Sequence, residues 1–426
     1  MKSSVYDNEW QVFNASEYPK NKTLEADVVI VGSGAGGGIS AEILAQQGLK
    51  VIILEEGPYL NKQQFTLLEK DAYADLYQEA TARKTKNKAI SILQGRCVGG
   101  STTVNWTSSF RTPDQTLAFW HENFAIDDLG SADMLPWFKA VEQQLSIAPW
   151  TVPANENNQT LARGMHKLGW QANIIPRNVK SCANLGYCGM GCPLDAKQSM
   201  LVTTIPSALA AGATLISNAR AQQFSFSNGN IKAITLFPTT AKGEPDGNNQ
   251  LTIRARHFVL SAGAIGSPAL LLRSAAPDPY TVLGKRTFLH PVTVSAAFMP
   301  EPVNAFSGAP QSIYSDQFLW RDGVAGELGY KLEVPPLHPL IVSTFVPGHG
   351  LNHRKLMQQF PNMQAIIALH RDGFHPQSEG GIVELEENGR AVLDYPLDDL
   401  FWRAARDSLL KMAEIQFAAG AKKVLP

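Results

Sequence analysis

The residues best placed to do chemistry begin with a glycine turn, Gly32-Ser33-Gly34-Ala35-Gly36-Gly37, lying between the β-branched run ADVVIV and the helical stretch ISAEILAQQG. The turn matches G-x-G-x-x-G with a strand before it and a helix after it, the context that gives the pattern meaning. Gly32 permits the tight turn, Gly34 lets a pyrophosphate approach the backbone, and Gly37 lets helix and strand pack closely. Free amides at the start of the helix and the positive end of its dipole suit a diphosphate. Glu55 ends a second apolar strand, KVIILE, 23 residues after Gly32. An acid at that spacing accepts ribose hydroxyls, and it repels a 2′-phosphate, which disfavours NADP. The turn alone does not separate NAD from FAD.

Two further segments have ligand-binding character. Gly95-Arg96-Cys97-Val98-Gly99-Gly100-Ser101-Thr102-Thr103-Val104-Asn105-Trp106 follows a glycine pair with hydroxyls and an amide, which allows close backbone approach and hydrogen bonds to a polar ligand. A polar surface loop is its plainer reading. Ser261-Ala262-Gly263-Ala264-Ile265-Gly266-Ser267-Pro268 runs from a strand through a glycine turn into a helix, with Ser267 expected as N-cap and Pro268 at the first helical position. Three of the four cysteines crowd together as Cys182-x5-Cys188-x3-Cys192. That spacing fits neither a zinc site nor a ferredoxin run, and Cys97 is far away in sequence, so small buried thiols are expected and no metal site. The nine histidines form no recognisable catalytic motif. His290, in TFLHPV, and the later His338, His349, His353, His370 and His375 read as packing or solvated residues.

The elements that must position these groups follow from periodicity. Apolar strands on either side of a helix over 26–55 indicate a βαβ unit in a buried parallel sheet. Residues 62–88 read as polar helix, and 133–146, 159–168 and 196–211 as further helices. From Thr214 the texture changes to strands, two of them joined by the hairpin signal Asn228-Gly229-Asn230. Strands at 258–260, 363–371, 380–385 and 390–395 and a last helix over 398–419 complete the pattern. A change near residue 290 is the expected domain boundary, with no internal repeat and no low-complexity tract.

The chain has 426 residues, enough for roughly two or three domains and a large core. Its 37 basic and 38 acidic residues give a net charge of −1, without the basic excess of a nucleic-acid binder. At 44% hydrophobic it is not disordered, and it contains no apolar run near membrane-spanning length. Few cysteines and an N-terminus, MKSSVYDNEWQVF, without a signal-peptide core point to a reducing, cytoplasmic setting, with membrane association left open.

In sequence order, VVIVGSGAGGG with ILEEGP, then GRCVGGSTTVNW, then SAGAIGSPALLL resemble the fingerprint and two signatures of the glucose–methanol–choline (GMC) flavin oxidoreductases. YCGMGCPLDAKQSMLVTTIPSALAAGA further resembles the branch that includes long-chain alcohol oxidases. The resemblance implies an α/β fold: a Rossmann-like FAD-binding domain of the GMC and p-hydroxybenzoate-hydroxylase type over 1–290, and a mixed-sheet α+β substrate domain over 291–426. Within the first lie the 26–55 core, the 94–108 glycine loop and the 258–274 return. It implies FAD bound through Gly32, Gly34, Ala35, Gly36, Gly37 and Glu55, with Gly100, Ser101, Asn105 and Ser108 contributing from the glycine loop and the Ala221 backbone meeting adenine. Val104 stands where some relatives carry a histidine joined to the flavin, so the FAD is expected to be non-covalent. The implied activity is hydride transfer from the CH–OH group of an alcohol, with oxygen, a quinone or a cytochrome as electron acceptor. In that family a catalytic histidine lies in a segment that would follow Pro426, so no catalytic residue is named and little activity is expected. An NAD-linked dehydrogenase and a non-catalytic flavin-binding fragment are the alternatives.

Overall fold

The computed structural model describes residues 10–240 and 243–425, so the first nine residues, including most of the stretch without a signal-peptide core, and Pro426 lie outside the described residues. The chain divides into two compact units, the first of residues 1–105, 189–287 and 381–395, the second of residues 106–188, 288–380 and 396–426. The single boundary expected at 290 is therefore too simple. One crossing falls at Thr287–Phe288, but 106–188 belongs with the second unit and 381–395 with the first. Interleaving of this kind is set by contacts between distant segments, which no local pattern reveals.

The first unit is built on a seven-stranded mixed sheet. In spatial order its strands are Gln11–Asn14, Thr214–Ser217, Val51–Leu54, Thr23–Val31, Leu251–Leu260, Asn230–Pro238 and Ala219–Ser227. The first five are parallel and the last two antiparallel. Val28 pairs with Val51 and Val31 with Leu54, so the two apolar runs of the βαβ unit are neighbours, with the helix Ala35–Gln46 between them in sequence. Val29, Val31, Ile52, Leu54, Ile216 and Leu270 share one core. The Asn228-Gly229 hairpin forms as expected, with left-handed φ at both residues.

Three local expectations need correction. Residues 62–88 hold only the helix Glu69–Leu76 and a 3-10 turn, because the rest lacks a continuous apolar face. The helix read over 196–211 is confined to Thr204–Ala210. The return helix starts at Gly263 rather than after Ser267, and Ser267 Oγ accepts the Ala262 amide from inside the helix, leaving Pro268 as an interior residue. A capping side chain thus acts backward over the first turn, an arrangement that the Ser-Pro pair disguises.

The second unit has a six-stranded antiparallel sheet in the order Lys423–Leu425, Val292–Phe298, Met363–His370, Tyr330–Glu333, Ile313–Phe318, Asn173–Ile174. Helices Glu156–Lys167 and Asp399–Ala418 cover one face, burying Leu161, Met165, Met412 and Ile415 against Tyr330, Leu332 and Ile366. Strand alternation then sends Lys331 and Glu333 to the other face. Glu333 is buried; burial pushes its carboxyl up to about 7, while Lys331 and a hydrogen bond from Ser108 pull the other way. His370, on the helix-covered face beside Thr293 and Ser408, is pushed down to about 4 by burial, with Asp372 opposing.

These two groups give opposite pH dependences over one window. Glu333, raised in the folded chain, contributes stability that is complete below 4.5 and lost as pH rises through about 7. His370, lowered in the folded chain, contributes stability that is complete above 6.5 and lost as pH falls through about 4. Each is worth about 3 kcal/mol across its window. Relative to the unmodified chain, Glu333→Gln should steepen the rise in urea midpoint between pH 4.5 and 7, and His370→Gln should make the midpoint fall over the same range. Parallel profiles for the three proteins would contradict the assignment.

Candidate cofactor site

The first unit brings the glycine turn and the glycine loop into contact. Gly32, with φ of 98°, donates to Leu54 O at 2.8 Å and turns the chain off its strand. A Cβ on Gly37 would overlap Gly32 O, and one on Gly57 would overlap the Arg96 carbonyl, so both positions are closed by the protein's own backbone. Gly34 and Gly36 differ. A Cβ on Gly34 would meet nothing nearer than Gly100 Cα at 3.9 Å, and one on Gly36 nothing nearer than Ser261 Oγ at 3.5 Å. Ala35 and Gly36 are exposed at the start of a helix that no side chain caps and whose first turn has no acid. The result is a small cradle lined by backbone amides and open to an anion.

Ser33 and Glu55 tie the cradle together. Ser33 Oγ donates to Glu55 Oε2 at 2.6 Å and accepts the Gly99 amide at 3.0 Å. Glu55 also accepts the Ser33 amide at 3.1 Å and, on Oε1, the Gly57 amide at 3.0 Å. Burial pushes the Glu55 carboxyl up, and these hydrogen bonds pull it back. A carboxylate offers about four acceptor positions, so one remains for an incoming hydroxyl. Ser33 is an unassigned x in the fingerprint, and only the fold shows it to be the hub.

Ser101 Oγ accepts the Gly95 amide at 3.0 Å, and the Asn105 amide donates to Ser101 O at 2.9 Å across the short helix Ser101–Val104. Gly100 lies against Gly34 at the junction of the two loops. The buried ammonium of Lys197 donates to Thr103 O and Asn105 O, each at 2.7 Å, and holds the end of that helix. Nothing in the local sequence PLDAKQSM marks Lys197 for this job. Ala221 lies on a strand of the same sheet, its carbonyl accepting Arg273 Nη2 at 3.2 Å. Ser108 falls in the second unit, with Oγ 3.4 Å from Glu333 Oε2, so it is not grouped with the others. Among the described residues no group of three or more His, Cys, Asp or Glu could hold a metal ion. Cys97 is buried and its thiol is pushed up to about 12, chiefly by desolvation. His290 is exposed, His353 bonds to Ser343, and His370 bonds across to Thr293 on the neighbouring strand.

Residues 73–292, more than half of the chain, match the family model for GMC oxidoreductase, and residues 27–65 match that for an FAD binding domain. The chain belongs to the GMC oxidoreductase family. It is 34% identical over 292 residues to long-chain-alcohol oxidase FAO4B of Arabidopsis thaliana, covering 67% of this chain and 38% of that one. It is 32% identical over 425 residues to the uncharacterized GMC-type oxidoreductase Rv0492c of Mycobacterium tuberculosis, covering 98% of this chain and 64% of that one. The chain thus spans less than two thirds of the length of these relatives. Among solved structures, formate oxidase of Aspergillus oryzae RIB40 superposes with TM-score 0.68 at 11% identity, covering 96% of this chain and 84% of that one. Pyridoxine 4-oxidase from Mesorbium loti superposes with TM-score 0.66 at 15% identity, covering 94% and 82%. The fold is the GMC fold and the cofactor is FAD; an NAD-linked dehydrogenase has no support in these likenesses.

The open cradle, the uncapped helix start and the remaining acceptor on Glu55 all fit a dinucleotide such as FAD. Gly34→Val should fold, since a Cβ there has room, yet purify without flavin. Gly37→Val should not fold, because its side chain would displace the turn. Circular dichroism with the flavin-to-protein ratio distinguishes the two, and full flavin content in Gly34→Val would contradict the cradle. Val104 offers no nucleophile and Cys97 is held as a buried thiol, so acid precipitation should release all the flavin into the supernatant. Yellow pellets would overturn that expectation.

Proposed function

We propose that this GMC-family chain carries the flavin-binding part of an oxidoreductase acting on the CH–OH group of alcohols, with long-chain or otherwise apolar alcohols as substrates. The observation that carries the reading is the preformed cradle, in which Ser33, Glu55, Gly57 and Gly99 join two glycine segments by buried hydrogen bonds. The substrate class is supported by the 34% identity to a protein named as a long-chain-alcohol oxidase. When bound, FAD supplies a hydride acceptor for the carbinol carbon.

The chain's own residues then have distinct tasks. The Ala35 and Gly36 amides meet the pyrophosphate at the helix start, where the dipole favours negative charge. Glu55 accepts a ribose hydroxyl while keeping its bonds to Ser33 and Gly57. Ser101 and Asn105 lie at the two ends of the short helix that Lys197 holds, placing them to contact the flavin, and the Ala221 backbone is assigned to adenine.

The test is anaerobic addition of primary alcohols of increasing chain length to the purified yellow protein. Because no catalytic base is named in this chain, only slow bleaching of the flavin absorbance is expected, faster with longer chains. Unchanged absorbance with every alcohol, or bleaching by short polar alcohols alone, would contradict the proposed substrate class.

A further inference from the structure

Exposed apolar side chains in the second unit fall into groups with different electrical surroundings. Phe124, Ile126 and Trp137 sit in a segment that also carries Glu122, Asp127, Asp128 and Asp133. The helical hairpin formed by Pro339–Phe345 and Gly350–Met357 is the opposite case. Phe345 is 68% exposed, Leu351 71% and Leu340 45%. From Val334 to Arg371 the sequence contains no Asp or Glu, while Arg354 and Lys355 stand exposed in the last turn of the second helix. Glu301 comes in from outside this run, on the loop whose Val303 and Asn304 amides bond Pro361 at the hairpin's base.

The hairpin is also built to leave water at low cost. Ser343 Oγ and Thr344 Oγ1 donate back to Leu340 O and Ile341 O, each at 2.7 Å, so neither hydroxyl depends on solvent. His353 Nε2 lies 3.0 Å from Ser343 O and links the two helices. Pro347 brings no amide hydrogen to the connection. Val342, with Ile341, Val346, Leu356 and Met357 packed around it, anchors the hairpin on Phe298 and Met363, so the exposed tips are held in place. Apolar tips above Arg354 and Lys355, on a run from Val334 to Arg371 that carries no acid of its own and meets one neighbouring acid, Glu301, with internally satisfied polar groups, match an interface of acyl chains beneath negatively charged headgroups.

We propose that this hairpin docks the protein on a membrane containing anionic phospholipid. Phe345 and Leu351 enter the headgroup–acyl boundary, and Arg354 and Lys355 meet the lipid phosphates. Among the described residues no helix is long and apolar enough to cross a membrane, so this contact is one of lying on the surface. It is independent of the alcohol-oxidising reading.

The experiment is co-sedimentation of the FAD-loaded full chain with vesicles of phosphatidylcholine alone or with ~30% phosphatidylserine. The unmodified protein should bind the phosphatidylserine vesicles and release at high salt. Phe345→Ser/Leu351→Ser and, separately, Arg354→Glu/Lys355→Glu should each weaken binding by about tenfold or more, with flavin content and thermal midpoint unchanged. Failure of the unmodified protein to bind, equal binding to both vesicle types, or full binding by either double variant would overturn the proposal. A dimer by light scattering that Phe345→Ser/Leu351→Ser dissociates would overturn it in favour of a contact between two copies of the chain.

Discussion

The first unit depends on one buried hydroxyl. Ser33 Oγ stands between the Glu55 carboxylate and the Gly99 amide, and without it a carboxylate inside the fold would lose its shortest hydrogen bond. An unsatisfied buried charge is costly, so the turn after the first strand, the end of the second and the glycine loop must hold their places together. The parallel pairing of Val28–Val31 with Val51–Leu54 sets the separation of Ser33 and Glu55, and the lack of side chains at Gly57 and Gly100 lets the segments close on each other. The anion cradle at Ala35 and Gly36 is what remains once those demands are met.

The second unit tolerates buried titratable groups in another way. Glu333 and His370 lie on opposite faces of one sheet, and both are held toward their neutral forms, the acid by a raised pKa and the base by a lowered one. Buried amides do the remaining polar work. Gln416 accepts Ser295 Oγ at 2.7 Å and donates to Gln364 Oε1 at 2.8 Å, so the long helix Asp399–Ala418 is keyed to its sheet by hydrogen bonds as well as by Met412 and Ile415.

The βαβ unit, the Asn228-Gly229 hairpin and the last helix were legible in the sequence because each rests on local rules: apolar runs, left-handed turn residues, and Asp398 capping Phe401. The glycine fingerprint and Glu55 were legible for the same reason. The division into interleaved units was not, since it depends on which distant strands pair. Ser33 and Lys197 escaped notice because a serine and a lysine acquire their roles only when Gly99, Thr103 and Asn105 are brought beside them. Ser267 misled because its oxygen caps the Ala262 amide from within the helix.

The most direct test of this coupled cradle is a double-mutant cycle on FAD affinity with Ser33→Ala, Glu55→Ala and the pair. If the hydroxyl and the carboxylate act as one unit, the two losses overlap, with a coupling of about 1 kcal/mol or more. Losses that add to within about 0.3–0.5 kcal/mol would contradict it, because they would mean that the two residues hold the cofactor independently.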